Sequence, residues 1–243
     1  MTLNCGACNG DIGNSRRLEQ IPNLFKCSTC GCYNRLPRRL HKDVVGFLAV
    51  CNPSEDEIIK TFEKYGDLPS RFAKYRMKTG KWWDIACGLG GLVKKAQDSG
   101  FNATGNDIRP EVVEAGNRIY GIELVIGHFE YLEIERESLD VISCYHGIEH
   151  TLAPMAIMLK AIEVLKPGGL IYLTHPDICK DEYAEKFCDK SSSVGGHSYE
   201  WTYESFKYFI EQFKELKVID TVIGIPNLQS NVPPSQEWLL RKQ

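Results

Sequence analysis

Between residues 81 and 243 the hydrophobic pattern changes period again and again. "KWWDIACGLGGLVKKAQDSG" starts as a short apolar run and passes through a glycine turn. It continues with Leu92, Val93 and Ala96 at helical spacing. "FNATGNDI" reads as a second strand ending in Asp107, and "RPEVVEAGNRI" as a helix opened by Pro110. "IELVIGHFEYL" holds a third strand and its loop. "SLDVISCY" is a fourth, its alternation broken only at Ser143. "TLAPMAIMLKAIEVLKPGG" predicts a helix stopped by Pro167, Gly168 and Gly169, and "LIYLTHPD" a fifth strand. "LKVIDTVIGI" and "QEWLLRK" read as closing antiparallel strands. Strands alternating with helices predict an α/β fold built on a doubly wound parallel sheet.

Ahead of this region the pattern is helical. Ser54 is an N-cap, and Glu57 completes a capping box. "EDEIIKTFEKYG" follows as a helix closed by Gly66, and Pro69 starts a second, "SRFAKYRMKTG". Leu48, Phe62, Phe72 and Tyr75 are packing candidates. The longest apolar run, Val44 to Cys51, is about eight residues, against the roughly 20 of a membrane helix. No apolar leader is visible in "MTLNCGACNG", which points to a cytoplasmic protein. The 243 residues suit one large domain with a small appendage. The expected division is residues 1–42, a connecting or cap segment 43–80, and a main domain 81–243.

The appendage is defined by its cysteines. Cys5, Cys8, Cys27 and Cys30 have the spacing C-x2-C-x18-C-x2-C, which predicts a structural zinc site with two knuckles. A segment this short buries too little apolar surface to fold without a staple. Cys32 is a fifth thiol beside the set. Residues 1–42 carry seven Lys or Arg against two acids, a balance of +5, so the rest of the chain is −8 within a total of −3. The acidic bulk disfavours a general nucleic-acid binder, while the basic head suits a phosphate-bearing partner.

"HGIEH", His146 to His150, matches the H-x-x-E-H signature of inverted zinc peptidases. That chemistry needs a helix that turns both histidines onto one metal. Here the motif follows a strand, and Gly147 disfavours a helix interior, so the peptidase reading is rejected. The carboxyl end of a strand is instead where an open α/β sheet binds its ligands.

The runs "DIACGLGGL", "GNDI", "LDVISCYHGIEH" and "EVLKPGGLIYLTHPD" resemble, in order, the successive motifs of class I S-adenosylmethionine-dependent methyltransferases. In particular they are similar to the subgroup related to the ubiquinone-biosynthesis O-methyltransferase. The resemblance covers roughly residues 80–243. It implies a seven-stranded Rossmann-like methyltransferase sheet and S-adenosylmethionine as cofactor. The loop of Ala86, Gly88 and Gly90 would hold the methionine moiety, with Ala86 in place of the family's first glycine. Asp84 would lie near its amino group, Asp107 would hold the ribose hydroxyls, and Ile108 would lie against the adenine. His128 stands where the family has a residue receiving the adenine amine. Phe129 offers a backbone N–H to the adenine, or simply packs. An NAD-binding unit would share the loop and the acid; "LKPGGLIYLT" favours methyl transfer.

The same resemblance gives "HGIEH" a role. A hydroxyl or amine acceptor must lose a proton, and His150 or His146 can take it. In some relatives two glutamates and the histidine of this segment ligate a divalent metal. Glu149 and His150 match that pattern, and His146 replaces the first glutamate. General base and divalent metal at the active site therefore both stand. "SSSVGGHSYEWTYESFKYFIEQF" resembles the stretch that lines the acceptor pocket. It makes His197 and Tyr199 substrate-contact candidates and Trp201 a packing residue, with Gly195 and Gly196 in a mobile loop.

The leading expectation is a small-molecule methyltransferase with a zinc ribbon. Some sugar C-methyltransferases combine such a ribbon with this domain type, which points to a sugar or sugar-nucleotide acceptor. The alternatives are an RNA methyltransferase that docks nucleic acid through the ribbon, and a non-catalytic ribbon adaptor. Against RNA, strand four lacks the Asn/Asp-Pro-Pro-aromatic motif, and "NVPP" at Asn231 lies too late. Membrane association is not expected, and the sequence sets no oligomeric state.

Overall fold

The computed structural model describes residues 4–13, 15–17, 23–36, 53–178, 197–224 and 234–243. The boundary expected near residue 42, Leu48 with its apolar run, and the Gly195–Gly196 loop lie outside them. In chain order the strands are β1 (Arg16–Arg17), β2 (Leu24–Lys26), β3 (Tyr33–Arg35), β4 (Lys81–Ile85), β5 (Asn102–Asp107), β6 (Val125–Ile126), β7 (Leu139–Tyr145), β8 (Leu165–Pro176), β9 (Tyr199–Glu200), β10 (Leu216–Ile223) and β11 (Ser235–Lys242). The helices are α1 (Glu55–Lys64), α2 (Leu68–Arg71), α3 (Gly91–Asp98), α4 (Pro110–Tyr120), α5 (Pro154–Val164) and α6 (Tyr203–Ile210). One sheet has seven strands in the order β10-β11-β8-β7-β4-β5-β6; the other has four, β1-β2-β3-β9. The expected seven-stranded α/β sheet is therefore present. Among the described residues no helix is long and apolar enough to cross a membrane.

The chain forms two compact units, one of residues 46–145, 159–172 and 241–243, the other of 1–45, 146–158 and 173–240. In the first, β4 runs parallel to β5 and β7, and β5 parallel to β6. Trp82 is 1% exposed and packs on Phe72 and Phe101, each at 5.0 Å between centroids. Burying a side chain of this class contributes about 1.5–3 kcal/mol. The break at Ser143 has a structural cause. Trp82 Nε1 donates to Ser143 Oγ at 2.7 Å, and that hydroxyl donates to Asp84 Oδ1 at 2.5 Å. Three buried polar groups thus satisfy one another.

Helix α1 starts as expected. Ser54 Oγ accepts from Glu57 N, and the Glu57 carboxylate accepts from Ser54 N at 2.8 Å. Two expected helices are shorter than predicted. Pro69 does open α2, but after four residues the chain tightens into a 3₁₀ turn, Phe72–Tyr75, closed by Arg76 in the left-handed region. Helix α5 stops at Val164, ahead of the Pro-Gly-Gly stop, and "LKPGG" already belongs to β8. Proline disfavours helical geometry in the residue before it, so Pro167 acts first through Lys166.

In the second unit, β1, β2, β3 and β9 pair antiparallel. The fourth strand comes from far along the chain: Cys32 Sγ meets Glu200 O across 168 residues of sequence. Gly6 is required here, because a Cβ would lie 2.1 Å from the Tyr199 hydroxyl. A second capping box, Thr202 with Ser205, opens α6. Its apolar face joins a cluster of Trp201, Phe206, Phe209, Phe213 and Trp238, all buried. Trp201 is therefore a core residue, as expected.

Candidate active site

The glycine loop lies between β4 and α3. Ala86 (φ 55°), Gly88 (φ 57°) and Gly90 (φ 80°) all take left-handed backbone conformations. At Gly90 the restriction is double, since a Cβ would come within 2.7 Å of Ile122. Ala86 carries a side chain in a region that disfavours one. The turn is pinned by Cys87 N donating to Asn106 O at 2.9 Å, and by Gly88 N donating to Asp107 Oδ2 at 3.1 Å.

Asp84 and Asp107, at the ends of adjacent parallel strands, are 2% and 3% exposed. Burial pushes the Asp84 carboxyl up to about 7, against the Ser143 hydrogen bond and the Lys64 charge. Asp107 is held differently. Arg109 donates from Nε to Oδ1 at 2.8 Å, from a terminal guanidinium nitrogen to Oδ2 at 2.9 Å, and from its backbone N to Oδ1 at 3.1 Å. With Gly88 N, four donors meet a carboxylate that has about four acceptor sites. A diol that binds Asp107 must therefore displace one of them. The sequence reading missed Arg109, although a D-x-R pair two residues apart was visible.

Ile108 is half-buried between these two charges. Beyond β6, His128 approaches Glu130 at 3.7 Å, and the buried Phe129 ring packs 6.3 Å from Trp83. Asn106 was also missed. It accepts from Trp83 Nε1 and donates to Gly127 O, both at 2.8 Å, and so ties the third-strand loop to β5.

The other unit gathers His146, Glu149, His150 and His197. "HGIEH" is not α-helical: His146 sits at φ 50°, and Ile148–His150 forms one short 3₁₀ helix. His146 Nδ1 lies 3.4 Å from Glu149 Oε1, and its Nε2 is 3.2 Å from Ser235 Oγ. The His150 and His197 rings pack edge to face at 4.6 Å. His197 Nδ1 bonds Glu200 Oε1 at 2.9 Å. Burial pulls His197 down, but the Glu200 and Glu149 carboxylates outweigh it and hold it at about 9. Glu149 is 1% exposed. Burial would raise it, yet His146, His150 and His197 together bring it down to about 2. Two members have no sequence signature. Glu200 arrives on β9. His175 is fully buried against Phe206, 4.1 Å between ring centroids, and burial pulls it down to about 4.

Cys5, Cys8, Cys27 and Cys30 converge, their sulfurs all within 4.8 Å of one another. Cys5 Sγ is 3.7 Å from Cys30 Sγ, and Cys8 Sγ 3.6 Å from Cys27 Sγ. None of the four is in a disulfide. Hydrogen bonds from Cys30 and Cys32 hold Cys5 far below the ordinary thiol range, and the bond to Cys5 pushes Cys30 far above it. Burial raises Cys8 to about 11. Crowded sulfurs resist sharing more than one negative charge, which a central divalent cation would remove.

A family model described as "Methyltransferase domain" matches residues 58–213. Among curated proteins, the chain is 24% identical over 136 residues to a protein named "Ubiquinone biosynthesis O-methyltransferase" from Hydrogenovibrio crunogenus, covering 53% of this chain. The chain spans about half, 51%, of that relative's length. Two solved structures share the fold. The PH0226 protein of Pyrococcus horikoshii OT3 has a TM-score of 0.61 at 19% identity, over 79% of this chain and 93% of that one. A SAM-dependent methyltransferase from Archaeoglobus fulgidus has a TM-score of 0.57 at 16% identity, over 81% and 98%.

Proposed function

The chain belongs to the methyltransferase-domain family, in its S-adenosylmethionine-dependent class, and from that premise we propose that it methylates a small molecule bearing a hydroxyl. The observation that supports an acidic-proton acceptor is the cluster of His146, Glu149, His150 and His197. A sulfonium methyl needs no activation; an alcohol or phenol acceptor must lose its proton. A sugar hydroxyl and a phenolic hydroxyl both meet this description. O-methylation is also the activity in the name of the ubiquinone-biosynthesis relatives.

In this reading Asp84 faces the methionine ammonium, the turn of Ala86, Gly88 and Gly90 lets the backbone approach the methionine, and Asp107 takes the ribose. Ile108, His128 and Phe129 border the adenine. The high value of Asp84 fits a site that awaits a cation, since an ammonium beside it would draw off its proton. His150 or His146 removes the acceptor proton, or a divalent metal does so by acidifying the hydroxyl. His197 assists on the same side of the chemistry. Cys5, Cys8, Cys27 and Cys30 hold a structural zinc, and their paired spacing and convergent sulfurs suit a closed tetrahedral site. The three segments of the sequence reading, 1–42, 43–80 and 81–243, remain our proposed functional division.

The test is incubation with methyl-labelled cofactor and separate pools of small metabolites, RNA and protein. Label in the metabolite pool supports the reading. Label confined to RNA or protein defeats the acceptor assignment.

A further inference from the structure

Glu149 is 1% exposed; His146 Nδ1 stands 3.4 Å from its Oε1, and its Oε2 receives no hydrogen bond among the described residues. A carboxylate buried this deeply is strongly unfavourable unless cations meet it, and one long imidazole contact leaves most of its acceptor sites open. Its surroundings are cation-ready. One ligand atom each of Glu149, His150 and His197 lies within 4.8 Å of the others. Metal bonds of about 2.0–2.2 Å place ligands on one ion roughly 3–4.4 Å apart, so small side-chain rotations close this set.

His197 is the decisive member, because it lies outside the "HGIEH" segment. Its Nδ1 faces Glu200 at 2.9 Å, so Nε2 is the nitrogen left to ligate once an incoming cation displaces its proton. Glu200 is itself 3% exposed and held from β3 by the Arg35 guanidinium at 3.9 Å, while Arg35 Nε donates to His197 O at 3.2 Å. A carboxylate behind a histidine, with a third group behind the carboxylate, is the usual outer support of a metal ligand. The residue after His197 is tied to the same segment: Ser198 N donates to Glu149 O at 2.8 Å.

We propose that Glu149, His150 and His197 bind one divalent first-row transition metal, distinct from the four-cysteine site, with Glu200 and Arg35 as positioning residues. Two imidazoles and one carboxylate favour zinc, cobalt or iron over magnesium. Three protein ligands leave a coordination position open, as in catalytic sites. The inference concerns binding, and stands whether or not the acceptor assignment is right.

The experiment is metal stoichiometry of the full chain after equilibration with excess cobalt and removal of loose ion. Wild type is expected to bind two equivalents. One shows a thiolate-to-cobalt charge-transfer band from the cysteines; the other shows only ligand-field bands. Glu149→Gln and His197→Ala should each bind one equivalent and keep the thiolate band, which doubles as a check on folding. Glu200→Gln should keep two equivalents with about 10–100-fold weaker affinity for the second. Wild type that binds a single cobalt with the thiolate spectrum overturns the proposal. So does a second equivalent that survives in Glu149→Gln.

Discussion

Asp84→Asn should raise stability and lower cofactor affinity in the same molecule. Burial lifts the Asp84 carboxyl from 3.8 to about 7. At ~1.4 kcal/mol per pH unit, ionising it in the cofactor-free protein costs on the order of 4 kcal/mol. The sign follows from the direction. The folded value lies above the unfolded one, so the proton's contribution is complete below pH 3.8 and is lost as pH rises to about 7. Asparagine cannot ionise, yet its Oδ1 still accepts from Ser143 in place of the 2.5 Å bond. Scanning calorimetry of both proteins from about pH 5 to 9 should show a wild-type melting temperature that falls toward pH 7 relative to the variant. At pH 8 the variant should melt higher. The same change removes the anion proposed for the methionine ammonium, which costs about 1.5–3 kcal/mol, or roughly 10–150-fold in affinity by titration calorimetry. A variant with the wild-type pH slope refutes the burial argument, and unchanged affinity removes Asp84 from the site.

Asp107→Ala should weaken S-adenosylmethionine binding by about 1.5–3 kcal/mol in titration calorimetry. It should also cost about 3–5 kcal/mol in chemical denaturation, because Arg109 is left buried without its bidentate partner. If the four cysteines hold zinc as proposed, Cys27→Ser should lose it by elemental analysis and loosen β1–β3, while amide exchange in β4, β5 and β7 stays slow. His150→Ala, assayed once an acceptor is identified, should lose about 10²–10⁴-fold in turnover with cofactor affinity intact. Chelation then separates a metal site from a bare histidine base, with the zinc proposed for the four cysteines measured after chelation.

What the sequence made legible was local. The Ser54–Glu57 and glycine-loop signals depend on residues three or four apart, and the structure realises both. The cysteine pairs were legible because each knuckle is local, and the fold only had to bring two knuckles together. Ser143 stood out as a polar break, but its partners became visible only with the register that sets it beside Asp84. Glu200 and His175 escaped for the same kind of reason. Neither sits in a periodic or spaced motif, and only the pairing of β3 with β9 and the packing of His175 on Phe206 bring them to the cluster. The early end of α5 was not legible because β8 already takes the chain from Leu165, two residues before the proline.

We propose that the β4 turn and the end of β5 take S-adenosylmethionine and not a nicotinamide dinucleotide. Titration calorimetry of the wild-type chain with S-adenosylmethionine, S-adenosylhomocysteine and NAD tests it most directly. Saturable one-to-one binding of the first two, weakened in Asp107→Ala, with no heat from NAD, is the predicted result. Saturable binding of NAD with none of either sulfur cofactor would contradict the account.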